Sequence, residues 1–261
     1  MKVLANQILT HVPVVDQSVD SLKDLPYIPS DPLPKKNFSM YICGFASSGK
    51  TTLMLSMLLS HPTRKKPCTP RFYYRYFDKI FLFSPSRQTL PLDKLKLDES
   101  RIFDKYSDEA LEEIIDIERD GENHNNLIII DDSIKQIKNR PGFHRLVLNR
   151  RHITHNNGEE GQAGLSIIVM SQKYNALDLI ARTNMSDVIL FRTENRAELN
   201  AIKAELMADL SPEQQDEVLR LAWDQKYSFL LIKAYNGTPD RYYRRFDKIV
   251  IKDDEVEVEE E

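Results

Sequence analysis

Two glycines, a lysine and a threonine hydroxyl stand at the spacing G-x-x-x-x-G-K-T in Gly44-Phe45-Ala46-Ser47-Ser48-Gly49-Lys50-Thr51. This spacing suits the wrapping of a polyphosphate. Gly44 and Gly49 let the backbone bend so that successive N–H groups, those of Ser47, Ser48 and Gly49 among them, point at the α- and β-phosphates with a helix dipole behind them. Lys50 then reaches the β- and γ-phosphates, the Thr51 hydroxyl holds Mg2+, and Thr52 completes the nucleotide-contacting set. A second group is Leu127-Ile128-Ile129-Ile130-Asp131-Asp132, four apolar residues ending in two carboxylates. Asp131 suits the metal partner of Thr51, usually through water, and Asp132 suits the group that orients and deprotonates an attacking water. Gln172, at the end of the apolar run 165–171, is placed to sense the γ-phosphate and position that water. A Gly/Ser-rich turn or an Asp-Asp strand end alone would be ordinary. The two together, about 80 residues apart, point to ATP and Mg2+.

These side chains need rigid elements to hold them at one place. Residues 38–43 read as a buried strand before the loop, and the apolar stretch 53–59 as a buried helix after it, ending before His61-Pro62 because proline restricts the residue that precedes it. Further strands are expected at 78–85, 127–131, 165–172 and 187–191. Helices are expected at about 107–117, capped by Ser107, from Pro141-Gly142 onward, and at 194–206. Ser211-Pro212-Glu213-Gln214 has the pattern of a capping box with proline at the first helical position. A hairpin of 228–234 and 242–251 turns around Asn236-Gly237. One strand lies in sequence between the loop strand and the acidic strand, which favours a RecA-like α/β arrangement. The expectation is a mostly parallel sheet of core order 5-1-4-3-2 flanked by helices, with the hairpin added. The chain divides into an extended arm, 1–37, holding five of the thirteen prolines, a domain at 38–251, and an acidic tail at 252–261 expected to be disordered.

Composition narrows the class. With 261 residues, 41% of them hydrophobic, the chain can bury a sizeable core. The formal charge is −4, yet seven acids fall in the last nine residues, so the remainder has 36 basic against 33 acidic side chains. The body is mildly basic. Cys43 and Cys68 provide no disulfide framework and fit a reducing compartment. Without an apolar run of 18 residues or a charged-then-apolar start, the expectation is a soluble intracellular protein with no direct membrane insertion.

Residues 133–158 contain no Asp or Glu but carry Lys135, Lys138, Arg140, Arg145, Arg150 and Arg151, with His144, His152 and His155. That is a polyanion footprint, which in a ring-shaped motor could face a central pore holding DNA; an ordinary solvated basic face is the alternative. The loop 156–164 is mobile by composition. In 71–77, basic and aromatic residues interleave, which suits either backbone gripping with base stacking or a sheet-edge segment with half-buried rings. Residues 69–80 and 238–249 share T-P-x-x-Y-Y-R-x-F-D-K-I, too isolated to be a tandem repeat.

Gly44 to Thr52, Leu127 to Ser133, and above all Ser166-Ile167-Ile168-Val169-Met170-Ser171-Gln172-Lys173-Tyr174-Asn175-Ala176 followed by Ala181-Arg182-Thr183-Asn184 resemble the poxvirus-type genome-packaging ATPases of nucleocytoplasmic large DNA viruses. Those belong to the FtsK–HerA group of P-loop DNA translocases. The resemblance covers roughly residues 37–251. It implies a homo-oligomeric ring that hydrolyses ATP to move DNA into a capsid, with capsid or portal proteins as partners, in the virion or the host cytoplasm. Oligomeric ATPases of this kind often place an arginine before the fifth strand to reach a neighbour's nucleotide, which singles out Arg182; Arg150, Arg151 and Arg192 are rivals. Asp132 departs from the wider group, many of whose members have Glu there, and its shorter reach leaves the role of base open. Two other classes share the loop: a nucleotide or nucleoside kinase with a lid and an acceptor pocket, and a nucleotide-switched capsid assembly factor that does not move DNA.

Overall fold

The structure, a computed structural model, describes residues 3–5, 29, 31–67, 69–90, 95, 97–119, 125–150, 153 and 164–251. Arg151, His152, His155, Cys68, the loop 156–163, the acidic tail and most of the N-terminal arm lie outside them.

Strands buried on both faces need mostly apolar side chains, and the central runs have them. β2 (Ser39–Cys43), β5 (Asn125–Asp131), β6 (Gly164–Ser171) and β7 (Asp187–Phe191) are parallel, and β3 (Ile80–Phe83) joins them beside β5. Along this run the order is β7-β2-β6-β5-β3. Numbered as the five core strands, that is 5-1-4-3-2, with β6 standing between the loop strand and the acidic strand as in a RecA-like sheet.

The sheet grows at both edges. β4 (Ile102–Phe103) adds parallel to β3 on one side. On the other, β8 (Phe229–Lys233) pairs antiparallel with β7, followed by β9 (Tyr242–Arg244), β10 (Asp247–Ile251) and finally β1 (Val3–Ala5) from the N-terminal arm. The second strand expected for the hairpin is thus two strands. A turn at Arg245-Phe246, with Arg245 at φ 56°, folds it into a meander.

Alternate residues of each strand feed opposite cores. Tyr41, Ile128, Ile130, Val169 and Leu190 face one side, under α2 (Asp108–Arg119), α4 (Pro141–Asn149), α6 (Arg196–Leu206) and α7 (Pro212–Ala222). The short helices α3 (Ile134–Ile137) and α5 (Leu179–Thr183) lie among these. Met40, Ile42, Ile129, Met170 and Ile189 face the other side, under α1 (Lys50–Leu59). There Tyr73 and Tyr76 are buried, Tyr73 stacked on Phe38 and Phe77 packed tilted against Tyr73 and edge-on against Tyr76, and their hydroxyls donate to the carbonyls of Pro34 and Lys35 at 2.7 Å each. The aromatics of 71–77 are therefore mainly core rather than a stacking surface for bases.

Local signals act where expected. The Ser107 hydroxyl accepts from Ala110 N at 3.1 Å to cap α2, and Ser211 and Gln214 form a reciprocal capping box on α7. Among the described residues no helix is long and apolar enough to cross a membrane.

Candidate functional site

Parallel strands deliver their C-terminal tips to one edge of the sheet, where α/β folds collect ligands. β2 ends at Cys43 opposite Ser171, and Asp131 of β5 lies opposite Met170 of β6, so the loop 44–51, Gln172 and the carboxylate pair share that edge. The Gly44 N–H donates to Ser171 O at 3.2 Å and fixes the loop's root. Behind it, the buried Tyr41 hydroxyl bonds Ser171 Oγ at 2.6 Å and reaches the carbonyls of Lys173 and Tyr174, which pins the turn that carries exposed Gln172.

The loop needs its glycines for different reasons. A Cβ on Gly44 would lie 2.6 Å from both Phe191 Cβ and Ser48 Oγ, a clash with the neighbouring strand. Gly49 sits at φ 107°, where other residues are strained. The first turn of α1 contains no acidic residue, so nothing on the helix offsets its positive N-terminal pole. Ser48 Oγ is buried in the loop without a hydrogen-bond partner. Lys50 is buried, and its ammonium donates to the loop's own carbonyls, Gly44 O at 2.7 Å and Phe45 O at 3.0 Å.

The charges interact. Burial pulls Lys50 below the ordinary lysine value, while the charges of Asp132 and Asp131 pull it up. Burial, and then the neighbouring charge of Asp132, push Asp131 up to about 6 despite Lys50 and a hydrogen bond from Ser84. A buried carboxylate left short of positive charge beside a second carboxylate, and, in the glycine loop, a buried hydroxyl without a partner, fit a metal–polyphosphate ligand. Among the described residues no cluster of three or more ligating side chains exists. Mg2+ requires none, since it is usually bound by one or two protein groups together with substrate phosphates. Asp132, exposed just past the strand at φ 48°, is the second carboxylate of the edge. Burial also pushes the Cys43 thiol up to about 12, so it acts as a small core residue.

A cavity of about 550 Å3 runs from Ser47, Gly49, Lys50 and Thr51 to Phe191, Tyr227 and Phe229. The three aromatics were not singled out in the sequence. Phe191 and Phe229 read there as strand interior, and nothing local marks Tyr227 as a cavity residue. Ser84, just past β3, lies within the strand expected at 78–85, where nothing marks it as a partner of Asp131.

Two arginines differ from expectation. Arg150 is buried, with Nε donating to Asn37 O at 2.8 Å and Nη1 to Val147 O at 2.7 Å, so its guanidinium ties the strand entry to α4 and is not a surface cation. Arg182 forms a two-pronged pair with Glu205, 2.7 Å on each prong, also donates to Leu177 O at 2.9 Å, and lies over the Tyr174 ring. It is held within its own chain, and reaching a neighbouring copy would mean breaking that pair. Arg192, just after Phe191 at the site edge, is 63% exposed and pairs with exposed Glu194. Lys135, Lys138, Arg140 and Arg145 are exposed; Arg145 pairs with Glu112, and Arg140 Nε donates to Gln136 O at 3.2 Å.

No family model matches the chain, and no curated protein matches it. Solved structures do. The genome-packaging NTPase B204 of Sulfolobus turreted icosahedral virus 2, in complex with AMPPCP, is 16% identical with a TM-score of 0.52, covering 82% of this chain and 97% of that one. Its complex with ATP-gammaS gives a TM-score of 0.50 at 16% identity, with 82% and 96% covered. B204, the DNA-packaging ATPase from Sulfolobus turreted icosahedral virus, is 17% identical with a TM-score of 0.52, covering 83% of this chain and 98% of that one. The likeness is one of fold, and it extends over nearly the whole of those chains.

Proposed function

We propose that the protein is a Mg2+-dependent ATPase that moves double-stranded DNA and fills a viral capsid with its genome. The observation that carries this reading is the meeting of Lys50 with Asp131 and Asp132 at one sheet edge, close enough for their charges to act on one another. The loop amides and Lys50 bind the phosphates. Thr51 and Asp131 are the residues that would hold Mg2+, which neutralises charge on the phosphate oxygens. Asp132 accepts the proton of the attacking water, and Gln172 orients that water against the γ-phosphate. Exposed Lys135 and Lys138 follow Asp132 by three and six residues, on and just after α3. A displacement of the acidic strand tip on hydrolysis would therefore move cations that contact the DNA backbone. The fold shared with packaging NTPases supports the motor reading, as does the motif set from 166 to 184. A homo-oligomeric ring, with capsid or portal proteins as partners in the virion or the viral factory, belongs to the same proposal.

The test is the ATPase rate with and without duplex DNA, for the natural chain and for Asp132→Asn, beside a triplex-displacement assay. Stimulation by DNA with displacement, both lost in Asp132→Asn, is expected. Transfer of phosphate to an added nucleotide or nucleoside without any response to DNA would make it a kinase. Hydrolysis without displacement would leave an assembly factor and remove the motor.

A further inference from the structure

The nucleotide reading fixes which way the ligand must lie. Asp131 and Gln172 belong to strands on one side of β2, while β7 and β8 lie on the other. With the γ-phosphate turned toward the carboxylates, the nucleoside points toward β7 and β8, and there the cavity wall is Phe191, Tyr227 and Phe229.

Tyr227 has two unusual properties. The residue is 56% exposed although it lines the cavity. Its backbone sits at φ 66°, a region costly for a bulky residue, and among the described residues only seven non-glycines have positive φ. Three of these, Ser47, Asp132 and Tyr227, surround the candidate site. A Cβ placed on Gly49 would lie 3.6 Å from both Tyr227 Cδ1 and Phe191 Cε1, so the rings stand directly against the phosphate loop. The Lys226 ammonium lies 4.9 Å from the Tyr227 ring centroid and takes one face of it.

Resting on that reading, we infer that the nucleobase stacks on Tyr227 in the cavity between α1 and β7–β8, and that no side chain there reads the base's edge. Among the described residues Lys50 is the one charged side chain of the lining and is committed to the loop, and no Asn, Gln, Asp, Glu or Arg lines the cavity. The polar groups on the α1 wall include the Thr52 and Ser56 hydroxyls, which donate or accept equally well. Stacking tolerates every base because each has a π face, whereas large discrimination needs buried groups left unpaired by the wrong substrate. Purine and pyrimidine triphosphates are therefore all substrates.

The experiment measures binding of ATP, CTP and inorganic tripolyphosphate, each with Mg2+, to the full chain and to Tyr227→Ala, Tyr227→Trp and Lys50→Ala. Tyr227→Ala should weaken ATP and CTP by about 5- to 150-fold and leave tripolyphosphate unchanged, with Tyr227→Trp restoring the nucleotides. In the natural chain kcat/KM for ATP, GTP, CTP and UTP should agree within about tenfold. ATP binding untouched by Tyr227→Ala, or a preference among bases beyond about 1,000-fold, overturns the inference. Lys50→Ala should lose tripolyphosphate and ATP alike. Tripolyphosphate binding that survives it overturns the phosphate-loop reading itself, and the inference with it.

Discussion

The ammonium of Lys50 closes on the carbonyl oxygen of Gly44, 2.7 Å away, so the loop's cation is folded into the loop that it serves. A triphosphate must exchange these carbonyl contacts for phosphate contacts, which are stronger because both partners are charged. The lysine is thus already near the position where it is needed. Lys50→Ala should lower ATP hydrolysis by about 100- to 1,000-fold, the usual cost of removing one electrostatic stabiliser of the transition state. Steady-state hydrolysis by a monodisperse variant checks this, and a rate within a few-fold of the natural chain would contradict it.

Asp131 gives a prediction in pH. Its carboxyl is pushed up to about 6 from 3.8, first by burial and then by Asp132, so the folded state holds that proton more tightly than the unfolded chain. The stability it contributes is complete below about pH 3.8 and is lost as pH rises through about 6. Asp131→Asn should therefore stabilise the nucleotide-free protein at pH 8 by about 1–3 kcal/mol, the gain shrinking toward pH 4. Hydrolysis by the natural chain should fall as pH drops through about 6, where the carboxylate protonates and loses its hold on a cation. Denaturation midpoints at pH 4, 6 and 8 test the first statement, and a pH–rate profile the second.

Much of this site is legible in the chain because its pieces are local. Gly44 to Thr51 is one contiguous loop, and Asp131 and Asp132 end one strand, so spacing alone marks them. The core strand order follows from the same marks once a strand is placed between them. What the chain conceals is pairing across long separations. Arg150 reads as one cation in a basic run, yet its partner is the carbonyl of Asn37, 113 residues away. Tyr73 and Tyr76 alternate with basic residues as nucleic-acid stacking residues do, but the chain near Pro34 and Lys35 takes up their hydroxyls. Tyr227 becomes visible only when the turn between α7 and β8 comes to rest beside Gly49.

Asp132→Asn should separate binding from chemistry. The amide keeps the shape and loses the basicity, so nucleotide affinity should hold within a few-fold while kcat falls by about 100- to 10,000-fold. Single-turnover hydrolysis alongside calorimetric binding reads both quantities. An unchanged kcat would give the role of base to another group.

Arg182→Ala should act first on stability. The pair with Glu205 is only 14% and 22% exposed, and truncation strips Glu205 of both prongs while Tyr174 still donates to it. A loss of about 1–3 kcal/mol follows, which for a chain of this size lowers Tm by roughly 2–4 °C per kcal/mol. In mixed oligomers the variant should not silence its natural neighbours, because its guanidinium is engaged at home. Loss of the neighbours' activity in proportion to mixing would show that the pair opens and the arginine crosses. Arg192→Ala, removing an exposed guanidinium at the site edge, is the companion variant.

Lys135 and Lys138 carry the last prediction, since they are exposed and stand just past the acidic strand tip, whereas Arg150 from the same basic run is buried. Each phosphate contact released by a cation contributes about 0.9 to the slope of log affinity against log salt on duplex DNA. The double variant Lys135→Ala/Lys138→Ala should reduce that slope by about 2, weaken duplexes of different sequence alike, and remove rate from the DNA-stimulated part of hydrolysis. Arg150→Ala should do the opposite: a lower Tm from two carbonyls left without their donor, and a salt slope close to the natural one among molecules that remain folded. Equal slopes for the double variant and the natural chain would move the DNA-binding surface away from α3, and the coupling of strand tip to cargo with it.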